Sequence, residues 1–379
     1  MPRPGLRPMR ALPVLEPRRG ALEKCVFCPK LCRSACPVSN VEPRETITPW
    51  GKMSLTWMAA HGDVPVDGEH AAPAWACTGC YGCREVCDHK NPVADVLLDA
   101  RDALARAGVA PAGARGVLDG FARHDASTRA AARELAAHPR VRPDAADVLL
   151  VGCGYLRGAP REARDAVDAA TALSGEPVAL VEACCGLPLR LAGDKDGFAR
   201  HAASVAESLE GRARVTVVDA GCAKTLRDRY PEAGVVLGPR VELLVEQASR
   251  ALARMKHVPH GAGPVRWHDP CQLGRGLGVY EAPRAVLGRA LGRTPDEFEL
   301  HERRELGVCS GAGGLLPATM PDVAKGIAGA RVAAHTRLAD GGGGRIVTAC
   351  ASSLIAMRKS SGSAVAVDDL VSWIARALS

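Results

Sequence analysis

The sequence predicts a multidomain α+β chain: a helical domain organised around cysteines, followed by two duplicated α/β units with parallel sheets. Three observations predict it. Fifteen cysteines occur in 379 residues, and the first of them fall into two tight groups near the start. From Val148 onward, short Val- and Leu-rich runs alternate with helical segments, the pattern of a parallel sheet with crossover helices. The cysteines of that later part recur in the same order in two successive stretches.

A chain of 379 residues exceeds one ordinary domain. With 47% hydrophobic and 24% charged residues it has a globular profile and enough apolar material to exclude a mainly disordered protein. No apolar run approaches the roughly 18 residues a bilayer span requires, so no transmembrane segment is expected. Aromatics are only 3%, so the core must be built from Ala, Val and Leu.

Residues 1–20 carry Arg3, Arg7, Arg10, Arg18 and Arg19 against Glu16. Pro2, Pro4, Pro8, Pro13 and Pro17 interrupt the segment and leave no apolar stretch of the kind a secretory signal needs. A flexible, solvated basic tail is expected there. It supplies much of the net charge of +7, and the remainder is nearly balanced. No cluster of Lys and Arg interleaved with aromatics appears, so nucleic-acid binding is not expected. Cysteine-rich chains without a secretory signal belong to reducing compartments, where thiols serve as metal ligands or catalysts, and a cytoplasmic location follows.

Residues 21–107 form the predicted helical domain. Cys25, Cys28, Cys32 and Cys36 read C-x2-C-x3-C-x3-C, with Pro37 after the last. Cys77, Cys80, Cys83 and Cys87 read C-x2-C-x2-C-x3-C. Three closely spaced thiolates can wrap three corners of a cubane, while the fourth of each run serves the other cluster. By that logic Cys25, Cys28, Cys32 and Cys87 hold one [4Fe–4S] cluster, and Cys77, Cys80, Cys83 and Cys36 hold the second. Two departures from the usual spacing stand out: the extra residue between Cys28 and Cys32, and the late proline, Pro92, after Cys87. Structural zinc usually pairs two C-x2-C knuckles, a different arrangement from three plus one. His89 reads as a surface or supporting residue, because eight cysteines already suffice. Met53–Ala60 ends at His61-Gly62 as a helix should, and Pro92–Ala107 places Val93, Val96, Leu97, Ala100 and Leu104 on one face. This arrangement resembles the helical two-cluster ferredoxin domain of dehydrogenase iron–sulfur subunits. Residues 108–143 read as a polar helical linker.

The first copy is expected over residues 144–260. Val148–Val151 ends at Cys153, Val178–Val181 leads to Cys184-Cys185, Val215–Val218 leads to Cys222, and Val235–Leu237 precedes a helix at Val241–Gln247. The second copy is expected over 261–379. Val265–Pro270 leads to Cys271, Phe298–Leu300 precedes Cys309, Arg345–Ala349 leads to Cys350, and Val365–Val367 precedes a helix at Asp368–Leu378. Carboxyl ends of parallel strands share one sheet edge, so these cysteines should converge in crevices there.

The block His268-Asp269-Pro270-Cys271-Gln272-Leu273-Gly274-Arg275, with Gly278–Arg284, Cys309-Ser310-Gly311-Ala312-Gly313-Gly314 and Val347-Thr348-Ala349-Cys350, resembles the cysteine-rich "CCG" domain family. Its members include the B and D subunits of heterodisulfide reductase, the glycolate oxidase iron–sulfur subunit and the C subunit of anaerobic glycerol-3-phosphate dehydrogenase. The order of a two-cluster ferredoxin domain and two CCG domains is similar to the D subunit of heterodisulfide reductase. The family pattern Cys…Cys-Cys-Gly…Cys-x-x-Cys implies a five-thiolate, non-cubane cluster that cleaves a disulfide.

This sequence departs from that pattern. Ser310 and Ser353 stand where the second copy would have cysteines, Thr225 stands at the end of the first copy, and Val151-Gly152-Cys153 replaces the His-Asp-Pro-Cys form. Hydroxyls are poor ligands for soft iron–sulfur cores. The first copy keeps Cys153, Cys184, Cys185 and Cys222, enough for a third cluster or a tetrahedral zinc. The second keeps Cys271, Cys309 and Cys350, a degenerate site or buried core cysteines.

Gly152-Cys153-Gly154 and Gly341–Gly344 are weak nucleotide signals, read as a turn and a connector. His268 and Asp269 either orient Cys271, relay protons or cap locally. Trp373 with Leu370, Val371, Ile374 and Leu378 forms an apolar helical face for packing. No catalytic residue is assigned. The expected function is an iron–sulfur electron-transfer subunit of a flavin-linked oxidoreductase. Its partner would be a flavoprotein dehydrogenase or another redox protein, and any peripheral membrane association would run through that partner. Two alternatives stay open: a heterodisulfide-reductase-like enzyme acting at a CCG cluster, and a non-catalytic redox or zinc structural module.

Overall fold

Two compact units organise the computed structural model, which describes residues 8–30, 32–340, 343–362 and 365–379. The first gathers the chain up to Asp119 together with Pro188–Lys195 and Gly311–Ile327. The second comprises Gly120–Leu187, Asp196–Ser310 and Ala328–Ser379. Neither is contiguous in sequence, because each α/β copy lends one segment to the first unit.

The first unit is helical. Thr48 caps the helix Pro49–His61 by accepting from the Gly51 amide, Pro49 pre-sets the first turn, and Gly62 ends it at φ 79°. Around it pack Arg19–Val26, Gly68–Trp75 and Val93–Arg106. Leu22, Met53, Ala60, Trp75, Val96, Leu97 and Ala100 form their common core. A smaller apolar cluster surrounds Cys36, built from Val38, Ile47, Ala76, Leu316, Val323 and Ile327.

The tail differs from expectation. From residue 8 it is not a solvated arm: Pro13–Arg18 forms a 3-10 turn, and Met9, Leu12 and Leu15 are buried in the same core as Leu22. Apolar side chains at these three positions outweigh Arg10 between them, and the prolines favour the tight turn. Residues 1–7, with Arg3 and Arg7, lie outside the described residues.

The second unit holds two all-parallel sheets. Strands Asp147–Leu150 (β1), Ala179–Leu180 (β2), Arg214–Val217 (β3) and Arg240–Leu243 (β4) run in the order β2-β1-β3-β4. The register pairs Val148 with Ala179 and Val215, and Val215 with Val241. Strands Val265–Trp267 (β5), Arg345–Thr348 (β6) and Ala366–Asp369 (β7) run β5-β6-β7. Two predicted strands are corrected. Val235–Leu237 is loop, with Val236 exposed, and the fourth strand begins after Gly238-Pro239. Phe298–Leu300 is not a strand; an isolated bridge joins Arg266 to Asp296, and Leu300–Glu302 is a 3-10 turn. The two helices that follow start later than expected, at Leu244 and Leu370.

Within this unit the copies are tied together at their strand ends. The Tyr155 hydroxyl donates to Asp369 Oδ2 at 2.7 Å, and the Ala351 amide donates to Asp219 Oδ2 at 3.2 Å. A Cβ on Gly154 would stand 2.8 Å from that of Ala351, so only glycine allows this approach. Among the described residues no helix is long and apolar enough to cross a membrane. Gly341 and Gly342 of the predicted connector lie outside the described residues.

Candidate metal centres

In the first unit the eight cysteines come from four short segments. Cys25 sits in the last turn of Arg19–Val26, and Cys28 follows it. Cys32 and Cys36 flank the turn Arg33–Ala35. Cys77 and Cys80 lie in the loop after Gly68–Trp75, and Cys83 lies in the short helix Gly82–Glu85, just before Cys87. Gly79 and Tyr81 take positive φ, 67° and 61°, which winds this loop tightly.

Burial pushes the Cys25 thiol up to about 12, and Cys32, Cys87 and Cys28 lie close enough to add to the shift. Burial also raises Cys83, with further contributions from Cys80, Cys77, Cys36 and Cys32. Cys36, Cys77, Cys80 and Cys83 line one cavity together with Lys52 and Tyr81. Each run thus has a cysteine of the other run close by, Cys87 near Cys25 and Cys36 near Cys83. His89 is exposed and takes no part.

Polar donors reach the sulfurs. Asn91 Nδ2 donates to Cys25 Sγ at 3.0 Å, the Gly79 amide to Cys77 Sγ at 3.4 Å, and buried Lys52 Nζ to Cys36 Sγ at 3.6 Å. Such donors stabilise thiolate, the form a metal requires. The donor set therefore fits iron–sulfur clusters. Buried Arg101 holds the frame: it donates to the carbonyls of Ala74, Cys77, Leu191 and Gly314 at 3.0, 2.8, 3.1 and 3.1 Å. Gly313 and Gly314 lie flat against the Cys77-Thr78 backbone; a Cβ on Gly314 would stand 2.1 Å from the Cys77 carbonyl oxygen.

The first copy brings its cysteines together at the ends of β1, β2 and β3. Cys153 opens the helix Cys153–Gly158, Cys184 and Cys185 follow β2, and Cys222 lies in Ala220–Lys224. Cys153 and Cys184 have their sulfurs 3.9 Å apart. The hydrogen bond with Cys184 lowers Cys153 to about 6 against the opposing effect of burial, and His124 adds to it. Thiol hydrogen bonds from Cys184 and Cys222 hold Cys185 well below the ordinary thiol range. Thr225, at the position of the lost cysteine, donates to the Gly221 carbonyl at 2.7 Å and lies within hydrogen-bond reach of Cys185. A Cβ on Gly152, at φ 96°, would stand 3.3 Å from Cys222 Sγ.

Two contributors were not foreseen. His124 and Asp125 lie on the long helix Ala112–Leu135, which reads as a linker. His124 groups with Cys153 and Cys184, with one ligand atom from each lying within 4.8 Å of the others. Asp125 Oδ1 accepts from the Cys184 amide at 2.8 Å. The surrounding polar helix gives no signal of either.

The second copy places Ser310 and Ser353 side by side, their hydroxyls 2.8 Å apart and buried. Burial pushes Cys350 up to about 12, aided by the Asp219 charge. Asp269 is a structural hub: Arg284 grips it through two nitrogens at 2.8 Å each, and Trp267 Nε1 and the Arg304 amide donate at 2.9 and 2.7 Å. Burial lowers His268 to about 3, so its imidazole stays neutral at neutral pH.

A helical domain with eight clustered cysteines, followed by duplicated α/β copies with thiols at strand ends, defines an iron–sulfur protein. Comparison with known families agrees. Residues 21–91 match the 4Fe-4S dicluster domain, and residues 148–227 and 265–358 match the cysteine-rich domain. The chain thus carries a 4Fe-4S dicluster domain ahead of two stretches that match the cysteine-rich (CCG) domain. It is 34% identical over 152 residues to the B subunit of fumarate reductase (CoM/CoB) from Methanothermobacter marburgensis, covering 38% of this chain and 28% of that one. It is 28% identical over 278 residues to the D subunit of dihydromethanophenazine:CoB–CoM heterodisulfide reductase from Methanosarcina barkeri, covering 68% of this chain and 66% of that one. It is 32% identical over 137 residues to the EtfAB:quinone oxidoreductase of Syntrophomonas wolfei, covering 35% and 18%. The chain thus spans less than two thirds of the length of these relatives. No solved structure matches it.

Proposed function

We propose that this chain is the iron–sulfur electron-transfer subunit of a flavin-linked oxidoreductase. In this reading Cys25, Cys28, Cys32 and Cys87 hold one [4Fe–4S] cluster, and Cys77, Cys80, Cys83 and Cys36 hold a second. The observation that carries it is the exchange of the fourth thiol between the two cysteine runs: Cys25 lies near Cys87, and Cys83 lies near Cys36. Clusters bound this way supply one-electron transfer. The residues of the chain bury the thiols, donate hydrogen bonds to them through Asn91, Lys52 and Gly79, and shield them from solvent.

The partner is proposed as a flavoprotein dehydrogenase, with any membrane association running through that complex. The four thiols of the first copy are proposed to bind a further metal group. Disulfide cleavage at the second copy is not favoured, because Ser310 and Ser353 occupy each other's hydroxyls where the family pattern has thiolates.

The test is iron, zinc and acid-labile sulfide per chain after strictly anaerobic purification, with EPR on the same sample. About eight iron with [4Fe–4S] signals supports two clusters, and about twelve would place another in the cysteine-rich copies. Fewer than about four iron alongside stoichiometric zinc would overturn the reading.

A further inference from the structure

We infer that the first cysteine-rich copy binds a single tetrahedral metal ion of the zinc type, and that His124 is its nitrogen ligand beside Cys153 and Cys184. The inference deepens, and rests on, the proposal that this pocket holds a metal group. Three observations carry it.

The first is the grouping itself: one donor atom each from His124, Cys153 and Cys184 within 4.8 Å of the others. The second is the sulfur separation. Four ligands around one ion, with metal–sulfur distances of about 2.3 Å, place neighbouring sulfurs roughly 3.8 Å apart. Cys153 and Cys184 stand at 3.9 Å. A cubane spreads its terminal thiolates over different irons, well beyond this spacing. The third is the placement of His124: its Nε2 is buried and its ring lies within hydrogen-bond reach of the Cys153 sulfur, where a metal would be shared by both. Thr225 stands where the family pattern has its fifth thiol, so the copy offers four sulfurs and His124 adds a nitrogen donor from the helix.

Cys185, whose thiol bonds to that of Cys184, neighbours the trio but is not one of the three donors that converge. Supporting contacts fix the trio. Asp125 Oδ1 holds the Cys184 amide at 2.8 Å, and His201 meets the Cys184 carbonyl at 2.7 Å. Arg157 Nη1 lies 2.5 Å from His124 Nδ1. A metal-bound imidazole donates from its other nitrogen, which an arginine cannot accept. Metal binding through Nε2 therefore requires the exposed Arg157 to release Nδ1.

The test uses the full chain purified anaerobically, with elemental analysis, zinc-edge X-ray absorption and chelator competition. Iron content and far-UV circular dichroism report that each variant has folded. The expected result is about one zinc per chain beyond the iron of the first unit, with an imidazole in its shell. His124→Ala should weaken zinc about tenfold or more and abolish the imidazole signal. His124→Cys should keep the zinc in an all-sulfur shell. Arg157→Gln, which offers Nδ1–H an acceptor, should bind zinc at least as tightly as the parent.

Zinc retained at unchanged affinity in His124→Ala, with no imidazole in the parent, would overturn the role of His124 and leave the metal pocket standing. About four extra iron with sulfide and no zinc would overturn the single ion. No metal beyond the iron of the first unit would overturn the pocket and this inference together.

Discussion

Ser310 and Ser353 share a buried hydrogen bond of 2.8 Å at the two positions where the family pattern carries cysteines. Each hydroxyl satisfies the other. Removing the Ser353 hydroxyl strands that of Ser310 in a buried site, at a cost of about 1–3 kcal/mol, whereas removing both strands neither; Ser353 without Ser310 keeps the Cys350 thiol as a partner. Ser310→Ala and Ser353→Ala should each destabilise, and the double variant should cost less than their sum. Anaerobic denaturant unfolding of the four proteins reads the coupling. Additive losses would mean that the hydroxyls act separately.

Lys52 is buried with Nζ 3.6 Å from Cys36 Sγ. A positive charge so near a thiolate favours the more negative, reduced form of the cluster proposed there. Lys52→Met should lower the reduction potential of that cluster by tens of millivolts and leave the one at Cys25 nearly unchanged. An EPR-monitored redox titration resolves the two. Equal shifts in both would argue that the variant acts on the fold and not on local charge.

Gly314 combines φ of 64° with a Cβ position 2.1 Å from the Cys77 carbonyl oxygen. Gly314→Ala must displace the loop that carries Cys77 and Cys80, and Arg101 with it, since Arg101 binds the carbonyls of both Cys77 and Gly314. The expected outcome is loss of about half the iron of the first unit, four of eight, by elemental analysis. Gly211→Ala is the control: φ is 73° but nothing lies within 4 Å of the added carbon, so it should cost only about 1 kcal/mol and no iron.

The sequence announces what is periodic or paired. Val148–Val151 and Val215–Val218 read as strands because buried parallel strands are continuous apolar runs. The edge strand Arg240–Leu243 escaped because its sequence alternates charge, with Glu242 buried under three arginines, Arg214, Arg240 and Arg250. The apolar Val235–Leu237 nearby was the stronger but misleading signal. The tail misled for a similar reason: its arginines are conspicuous, while Met9, Leu12 and Leu15 have no helical period. Both cysteine runs were legible from spacing. His124 was not, since one histidine on a polar helix has no pattern to mark it. The seating of Gly313 and Gly314 on Cys77-Thr78 joins residues more than 200 apart, which no local pattern reports.

Asp369 gives the second unit a pH dependence of predictable sign. Its carboxylate accepts from the Val371 amide at 3.0 Å and the Tyr155 hydroxyl at 2.7 Å. Complete burial nevertheless raises it from 3.8 to about 7, with Glu162 and Asp219 adding to the rise. The folded state therefore holds this proton more tightly than the unfolded chain. The resulting stabilisation is fully present below about pH 4 and is lost as pH rises through about 7. Between pH 5 and pH 8 the native protein should lose stability from this group. Asp369→Asn cannot ionise, so its denaturation midpoints at the two pH values should lie closer together than those of the parent, whatever their absolute level. Tyr155→Phe keeps the carboxyl and should leave the slope in place. An undiminished slope in Asp369→Asn would assign the pH dependence to another group.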